Sequence, residues 1–228
     1  MKHKIKIQKF HFAGIPVKAY QLKGFQGKEI LEFIDKNAGL FEDAQDLKAC
    51  FHNKENTYSK IQLSSELGEL ALTAYGKDEI NAVKQWWKHY KKQHKGRLFM
   101  QTTEKYVLQI LPEPKKYVVN NLLINRKKYE QLQELKNKPE KYKAELEKYL
   151  MANLLPLFNL VGYWHDREKD DLKPDILHYK EHQKMFKVYH NYYRNGFNIV
   201  FETRLLLPHL FRMGESTALG YGTVKWKH

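Results

Sequence analysis

Hydrophobic periodicity changes several times along the first half of the chain, and the order of these changes restricts the fold. Strand-like alternation occurs in residues 4–12, 58–63, 69–75, 97–101 and 106–111. In the first of these segments, Ile5, Ile7 and Phe10 are interspersed with lysines. Apolar side chains recur at helical spacing in residues 28–37 and again from Asp78 to about Gly96. The sequence therefore predicts the order strand, helix, strand, strand, helix, strand.

This order is the split βαβ pattern of a ferredoxin-like domain, a fold that many RNA-binding proteins share. Beyond Pro114 the pattern changes. Helical spacing occupies residues 126–135 and 140–155, and strand-like runs occupy residues 176–179, 185–190, 197–207 and 223–226. We therefore predict an α+β protein with a ferredoxin-like domain at residues 1–113 and a second, mixed domain at residues 114–228.

The chain carries a strong excess of positive charge. Its 40 Lys and Arg residues against 26 Asp and Glu residues give a formal net charge of +14. Such an excess is self-repulsive, which favours nucleic acid as a partner over an anionic membrane surface or a purely solubilising role. Aromatic residues make up 14% of the chain and include 15 Tyr. This share favours exposed or single-stranded bases, which stack on aromatic rings.

The sequence gives no indication of secretion or of insertion into a membrane. No apolar run approaches the roughly 20 residues that a bilayer-spanning helix needs. Cys50 is the only cysteine, which excludes an internal disulfide and a cysteine-based zinc cluster. We therefore expect a cytoplasmic protein with no membrane partner, no metal site and no cofactor.

The glycine-rich segment at residues 212–222 is the most informative local motif. Gly214, Gly220 and Gly222 allow the backbone to approach a ligand closely, with N–H groups turned to phosphate oxygens. Arg212 beside them is able to bind phosphate through two hydrogen bonds. The segment lacks the lysine and the following helix of a Walker loop. By itself it is equally a structural turn, but with the net charge of +14 it predicts contact with a nucleic-acid backbone.

The second predicted helix ends in a basic surface that is interleaved with aromatic residues. We interpret Trp86 and Trp87 as packing residues and the lysines as phosphate contacts, although some lysines also complement the helix dipole. The lysines near one face of this helix are Lys84, Lys88, Lys91, Lys92 and Lys95.

His52 is a candidate for proton transfer. An unperturbed histidine has a pKa of about 6.5, which suits general acid or base catalysis near neutral pH. Lys54 is placed to stabilise negative charge, and the hydroxyl of Tyr58 adds a further polar group. The chain has 11 His, so a surface or core role for His52 stays open beside the catalytic one.

Taken together, these residues resemble the CRISPR repeat-processing endoribonucleases of the repeat-associated mysterious protein (RAMP) superfamily. Proteins of that family end in a loop of the form G-x-G-K-x-x-S-x-G-F-G, which Gly214, Ser216, Gly220, Tyr221 and Gly222 fit. A subgroup has H-N-H before a strand that begins Y-P-L-I-Q, similar to the segments at residues 52–54 and 58–62 here. Further similar segments, in the family's order, are residues 123–129, 152–155 and 201–208.

The resemblance implies two ferredoxin-like, RRM-like domains in tandem with a C-terminal glycine-rich loop. It also implies metal-independent cleavage of a CRISPR repeat transcript, in which a 2′-hydroxyl attacks the neighbouring phosphate and leaves 2′,3′-cyclic phosphate and 5′-hydroxyl ends. His52 would act as general acid or base, with Lys54 and Tyr58 assisting. Other CRISPR effector proteins stay open as partners, as do the monomeric and homodimeric states. The implied RNA-binding residues are Arg212, Gly214, Ser216, Gly220, Tyr221, Gly222, Lys88, Lys91, Lys92 and Lys95.

The sequence also departs from the family pattern. Lys54 replaces the second histidine of H-N-H, and Glu215 stands where the loop has a lysine. Glu215 would repel phosphate unless it points away or pairs with Arg212. These departures leave an alternative, a non-catalytic RAMP-type protein that holds repeat RNA or serves as an effector-complex subunit. A third reading is a basic structural or DNA-binding protein in which the glycine-rich segment is only a turn.

Overall fold

The computed structural model describes residues 4–16, 60–67, 69–160, 172–189, 192–209, 211–215 and 221–226. The predicted helix at residues 28–37 lies outside the described residues, as do the candidate site residues His52, Lys54, Tyr58, Ser216 and Gly220. Among the helices that the structure describes, none has the length and apolar character needed to cross a bilayer.

The N-terminal unit contains a four-stranded antiparallel sheet in the described residues. The sheet order is β2-β3-β1-β4, so β1 pairs with both β3 and β4. This is the strand order of a ferredoxin-like fold, in which the first strand lies at the centre beside the third and fourth. Its elements are β1 (Lys4–Pro16), β2 (Ile61–Glu66), β3 (Glu69–Tyr75), α1 (Lys77–Gln93) and β4 (Gln101–Val107).

Helix α1 packs its aromatic side chains against β1. The ring of Trp86 lies 4.5 Å from that of Phe12, and Trp87 lies 5.6 Å from Phe10 between centroids. The indole N–H of Trp87 donates to the carbonyl oxygen of His11 at 2.7 Å. Both tryptophans are buried, which confirms their predicted packing role. These buried aromatic side chains anchor the helix and leave its lysines on the solvent side.

The C-terminal unit repeats this architecture. Its sheet order is β6-β8-β5-β9, with β7 paired to β8, so its first strand is again central. No helix occurs among the described residues between β8 and β9. The prediction of two ferredoxin-like domains in tandem is confirmed. The elements are β5 (Ile110–Ile124), α2 (Arg126–Glu134), α3 (Pro139–Leu160), β6 (Asp175–Glu181), β7 (Phe186–Tyr189), β8 (Tyr192–Leu205) and β9 (Thr223–Trp226).

The strand assignments around residues 97–124 were wrong in detail. Residues 97–100 are not a strand, and the predicted strand at 106–111 spans the end of β4 and the start of β5. The predicted domain boundary at 113/114 falls inside β5. Pro112 and Pro114 suggested a break, but they occupy a register shift, because Ile110 pairs with Leu205 and pairing resumes only at Lys115. Prolines are tolerated at such irregularities because no ladder hydrogen bond is lost.

The two units share one hydrophobic core. Ile5, Ile7 and Tyr106 of the first sheet belong to the same cluster of buried residues as the centre of the second sheet. The hydroxyl of Tyr106 donates to the carbonyl oxygen of Leu206 at 2.5 Å. Burial raises the pKa of Tyr106 far above its usual value, so the phenol stays protonated and keeps this hydrogen bond.

Candidate nucleic-acid interface

The C-terminal half of α1 presents a row of exposed lysines. Lys88, Lys91 and Lys92 of the helix and Lys95 just beyond its end are all exposed, whereas the aromatic residues Trp86, Trp87 and Tyr90 of the helix are buried. The first turn of the helix is acidic and the last turn basic, an arrangement that also complements the helix dipole. The lysines therefore both stabilise the helix end and create a local positive surface.

Lys91 is held in place by aromatic rings. Its ammonium group lies 4.5 Å from the ring centroid of Trp87 and 5.6 Å from that of Phe99. Next to it, the imidazole of His94 stacks on Tyr90 with 4.0 Å between centroids. A cation over an aromatic face gains electrostatic attraction from the ring. Lys91 is thus a positioned charge on this surface.

The base of the glycine-rich segment is closed by backbone hydrogen bonds. The N–H of Met213 donates to the carbonyl oxygen of Gly222 at 3.0 Å, and the N–H of Gly222 donates to that of Asn121 at 3.0 Å. Gly222 has a φ of 68°, and a Cβ there would lie 1.6 Å from the Met213 carbonyl oxygen. Only glycine fits this crossing of two backbones.

Gly214 and Glu215 are tied to two other elements. The N–H of Gly214 donates to Oδ1 of Asn153 on α3 at 2.8 Å, and the N–H of Glu215 donates to the carbonyl oxygen of Leu123 on β5 at 3.0 Å. The amides of residues 213–215 and 222 are therefore engaged within the protein. The predicted contacts between backbone amides and phosphate stay a prediction for residues 216–220, which lie outside the described residues.

Glu215 forms an ion pair with a residue that sequence reasoning did not find. Its carboxylate lies 2.6 Å from Nε of Arg194 on β8. The side chain of Glu215 is 30% exposed and that of Arg194 is 10% exposed. Glu215 therefore has a cationic partner in Arg194, and its suggested pairing with Arg212 stays a prediction. Glu215 and Arg194 are 21 residues apart, and strand β5 brings them together, because it pairs with β8 beside Arg194 and its Leu123 bridges to Glu215. Local sequence contains no signal for such a contact.

The side chains of Arg212 and Tyr221 lie beneath the surface. Arg212 is only 7% exposed and Tyr221 only 2%. The Tyr221 ring meets Phe186 edge-on at 5.7 Å and packs on Leu123. Burial raises the pKa of Tyr221 to about 12, so the phenol is neutral at physiological pH. A direct contact of either side chain with RNA would require it to leave this position.

Asn153 and Tyr149 support the loop base from α3. The Tyr149 hydroxyl donates to the carbonyl oxygen of Leu123 at 2.9 Å, and Nδ2 of Asn153 donates to the carbonyl oxygen of Tyr149 at 2.7 Å. Burial, reinforced by the nearby carboxylate of Glu215, raises the pKa of Tyr149 well above its usual value. The similarity to the family pattern at residues 152–155 included Asn153 but did not indicate that its side chain binds the base of the loop.

In the N-terminal unit the structure describes one histidine–carboxylate pair. Nε2 of His11 lies 2.7 Å from Oε2 of Glu69, and Oε1 of the same carboxylate accepts the N–H of Gly14 at 2.8 Å. His11 is buried, and the pair ties β1 to β3. Among the described residues, no three His, Cys, Asp or Glu side chains are grouped closely enough to hold a metal ion.

The family model of the Cas6b C-terminal domain matches residues 110–226, just over half of the chain. A search of curated proteins finds no match.

Solved structures align over almost the whole chain. Two crystal structures of Cas6b, one of them described as a CRISPR RNA processing endoribonuclease, each have 17% identity and cover 98% of this chain and 100% of their own. Their TM-scores are 0.66 and 0.70. Csf5, a CRISPR-Cas type IV Cas6 crRNA endonuclease, has 14% identity and a TM-score of 0.55, with coverage of 99% and 100%. At these identities the likeness establishes the fold.

Proposed function

We propose, from the premise that the chain belongs to the Cas6b family, that it is an endoribonuclease that cleaves CRISPR precursor RNA within its repeats to give mature guide RNAs. The family match over residues 110–226 is the observation that carries this proposal. The matched segment contains the whole base of the glycine-rich loop. Similarity to the folds of CRISPR RNA processing enzymes and the net charge of +14 agree with an RNA substrate.

The proposed chemistry is attack by a 2′-hydroxyl on the adjacent phosphate, without a metal ion. One group takes the proton from the 2′-oxygen, and one donates a proton to the departing 5′-oxygen. The products carry a 2′,3′-cyclic phosphate and a 5′-hydroxyl. We assign proton transfer to His52, charge stabilisation to Lys54 and a supporting hydroxyl to Tyr58. The reaction needs a 2′-hydroxyl, so DNA is not a substrate.

RNA binding is assigned to two surfaces. The exposed lysines of α1 supply positive charge to phosphates, and Lys91 is already oriented over Trp87. The glycine-rich loop supplies close backbone approach, with residues 216–220 as its contact segment and Gly214 and Gly222 as its fixed ends. The N-terminal domain, residues 1–113, carries the proposed catalytic group, and the C-terminal domain, residues 114–228, carries the loop.

A cleavage assay in EDTA tests this function. The substrate is the repeat RNA of the CRISPR array from the same genome, and a matched RNA carries a single 2′-deoxy sugar at the cleavage position. We expect the all-ribose RNA to be cut to a cyclic-phosphate end and the deoxy RNA to bind equally but stay intact. His52→Ala is expected to abolish cleavage while leaving the affinity for RNA unchanged.

The alternative is a non-catalytic RNA-binding member of the same superfamily. Lys54, in the place of a second histidine, favours it, because one proton-transfer group is then a cation. Tight binding of repeat RNA by the wild-type protein without cleavage would select this alternative. Equal affinity for DNA and RNA of the same sequence would exclude both.

A further inference from the structure

We propose that Arg194 and Asn153 are positioning residues that set how the glycine-rich loop approaches RNA, and that neither side chain touches RNA itself. The inference rests on the proposed function, since it concerns the same loop. It assigns a part in RNA recognition to two partly buried side chains on two different elements, of which the motif at residues 152–155 had indicated Asn153 without a role.

The contacts of Arg194 face the protein. Its Nε donates to Oε2 of Glu215 at 2.6 Å, and a terminal nitrogen donates to the carbonyl oxygen of Tyr193 at 3.3 Å. Its side chain is only 10% exposed. An arginine intended for phosphate would leave its planar fork open to solvent. Arg194 instead holds the Glu215 carboxylate, and with it the chain at the start of the loop, in one position.

Asn153 acts on the neighbouring residue through its amide group. Oδ1 accepts the N–H of Gly214, and Nδ2 donates to the carbonyl oxygen of Tyr149 one turn earlier on α3. The second hydrogen bond fixes which way the amide faces, so the oxygen is directed at the loop. Gly214 has a φ of 93°, a conformation that this hydrogen bond stabilises from outside.

Three elements thus hold two consecutive residues. Helix α3 holds Gly214 through Asn153, strand β5 holds the N–H of Glu215 through Leu123, and strand β8 holds its carboxylate through Arg194. Gly214 and Glu215, the residues from which the chain continues to residues 216–220, are therefore held in place in the RNA-free protein. Preorganisation of this kind lowers the entropy that the complex would otherwise lose.

The test compares Arg194→Gln with the charge-swapped pair Arg194→Glu with Glu215→Arg. The dissociation constant for repeat RNA is measured over a series of salt concentrations. We expect Arg194→Gln to raise the Kd about tenfold, the equivalent of one charge-assisted hydrogen bond, with the salt slope unchanged. The swapped pair is expected to restore most of the affinity. Lys136→Gln removes the same charge from an exposed site elsewhere and serves as the matched control.

A direct phosphate contact predicts a different result. Removing one such contact lowers the slope of log affinity against log salt by about 0.7 for single-stranded RNA. That change in Arg194→Gln, or a swapped pair no tighter than the single variant although its melting temperature is normal, overturns the proposal for Arg194.

Amide hydrogen exchange in the RNA-free protein provides a second test, which does not depend on the function. We expect Asn153→Leu to remove protection from the Gly214 amide and Asn153→Asp to retain it, since Asp keeps the acceptor. Equal protection in both variants overturns the role of Asn153. If wild-type protein neither binds nor cleaves repeat RNA while these exchange results hold, the proposed function fails and the positioning of the loop stands.

Discussion

On helix α1 the candidate cations Lys88, Lys91 and Lys92 lie on the solvent side of the helix, whereas at the glycine-rich loop the side chains of Arg212 and Tyr221 lie beneath the surface. Lys88 and Lys92 project from a helix that Trp86 and Trp87 anchor from the other side, and Lys95 follows just beyond its end. Their proposed contribution to binding is the charge itself. Any one of these lysines is replaceable without disturbing the packing below it.

The loop base has the reverse construction. Gly214 and Gly222 have positive φ values and lie against neighbouring backbone. Arg194 forms an ion pair with the carboxylate of Glu215. Each of these residues holds part of the backbone in one conformation, so a substitution is expected to act through the residues that it contacts. We therefore expect the RNA affinity and stability of the protein to respond differently to substitutions in the two regions and to salt. Effects at α1 are expected to be small, additive and screened, and effects at the loop base large, coupled and insensitive to salt.

The strongest test of this contrast is Gly222→Ala. The added Cβ would sit 1.6 Å from the Met213 carbonyl oxygen, so the two backbone segments must separate. We expect a loss of more than about 2 kcal/mol in the free energy of unfolding, together with a collapse of RNA affinity at every salt concentration. Chemical denaturation and RNA titration measure the two effects.

Gly96→Ala is the matched control for that substitution. Gly96 also has a positive φ, 87°, but a Cβ there meets nothing within 4 Å. Its cost is therefore only the backbone strain, about 1 kcal/mol. If the two variants lose equal stability, the close crossing at Gly222 contributes nothing, and the loop base is no more shape-dependent than a surface turn.

The second prediction asks whether α1 contributes to binding through charge alone. Trp87→Phe removes the hydrogen bond to His11 and part of the packing against Phe10, so we expect a loss of about 1–3 kcal/mol in the free energy of unfolding. At a temperature where the variant is folded, its Kd for RNA is expected to match that of the wild type. A raised Kd in the folded variant would show that the packing of α1 also shapes its binding surface.

The third prediction concerns Tyr149 beneath the loop. Tyr149→Phe loses the hydrogen bond to Leu123, which costs about 1 kcal/mol near neutral pH. Burial raises the pKa of Tyr149 in the folded protein above the value of about 10 for an unfolded chain. Its stabilisation is therefore complete below pH 10 and is lost as the pH rises beyond it, because only the unfolded state ionises.

Denaturation of both proteins between pH 7 and pH 11 measures this difference. The advantage of the wild type over Tyr149→Phe is expected to be constant up to about pH 10 and then to shrink. A constant advantage throughout this range would mean that the phenol ionises as readily in the folded protein as in the unfolded chain.

The contrast between the two regions also explains which features were predictable from sequence. Strands β3 and β9 match their predicted limits, since their apolar residues follow a simple pattern between clear breaks. Strand β5, the centre of the second sheet, was missed. Its pairing with β8 is interrupted at Pro112 and Pro114 and again between Val119 and Leu122. These irregularities remove the period of two on which the assignment depends.

Helix α3 gives a second example. The periodic pattern predicted an end at Leu155, yet the helix continues through Pro156 to Leu160. Leu157 and Phe158 are buried, and their burial outweighs the hydrogen bond that the proline removes. Tertiary packing of this kind is not visible in the local sequence.

At the candidate site, the sequence identified residues that local patterns make recognisable. It missed residues whose role depends on contacts between distant parts of the chain. Lysines at helical spacing and clustered glycines are recognisable along the chain. The pairing of Arg194 with Glu215 is not, because it depends on β5 lying between β8 and the segment that contains Glu215.

The smallest effects are expected for single lysines of α1. Lys88→Gln and Lys92→Gln should each raise the Kd for RNA only a few-fold at low salt and lower the salt slope by about 0.7, with little change in stability. Their effects should add in the double variant and disappear at high salt, where Gly222→Ala and Arg194→Gln remain impaired. Titrations of these four single variants and of the lysine double variant at two salt concentrations measure this. Lysine effects that persist at high salt would mean that α1 recognises RNA by shape as the loop does, and the distinction between the two regions would be lost.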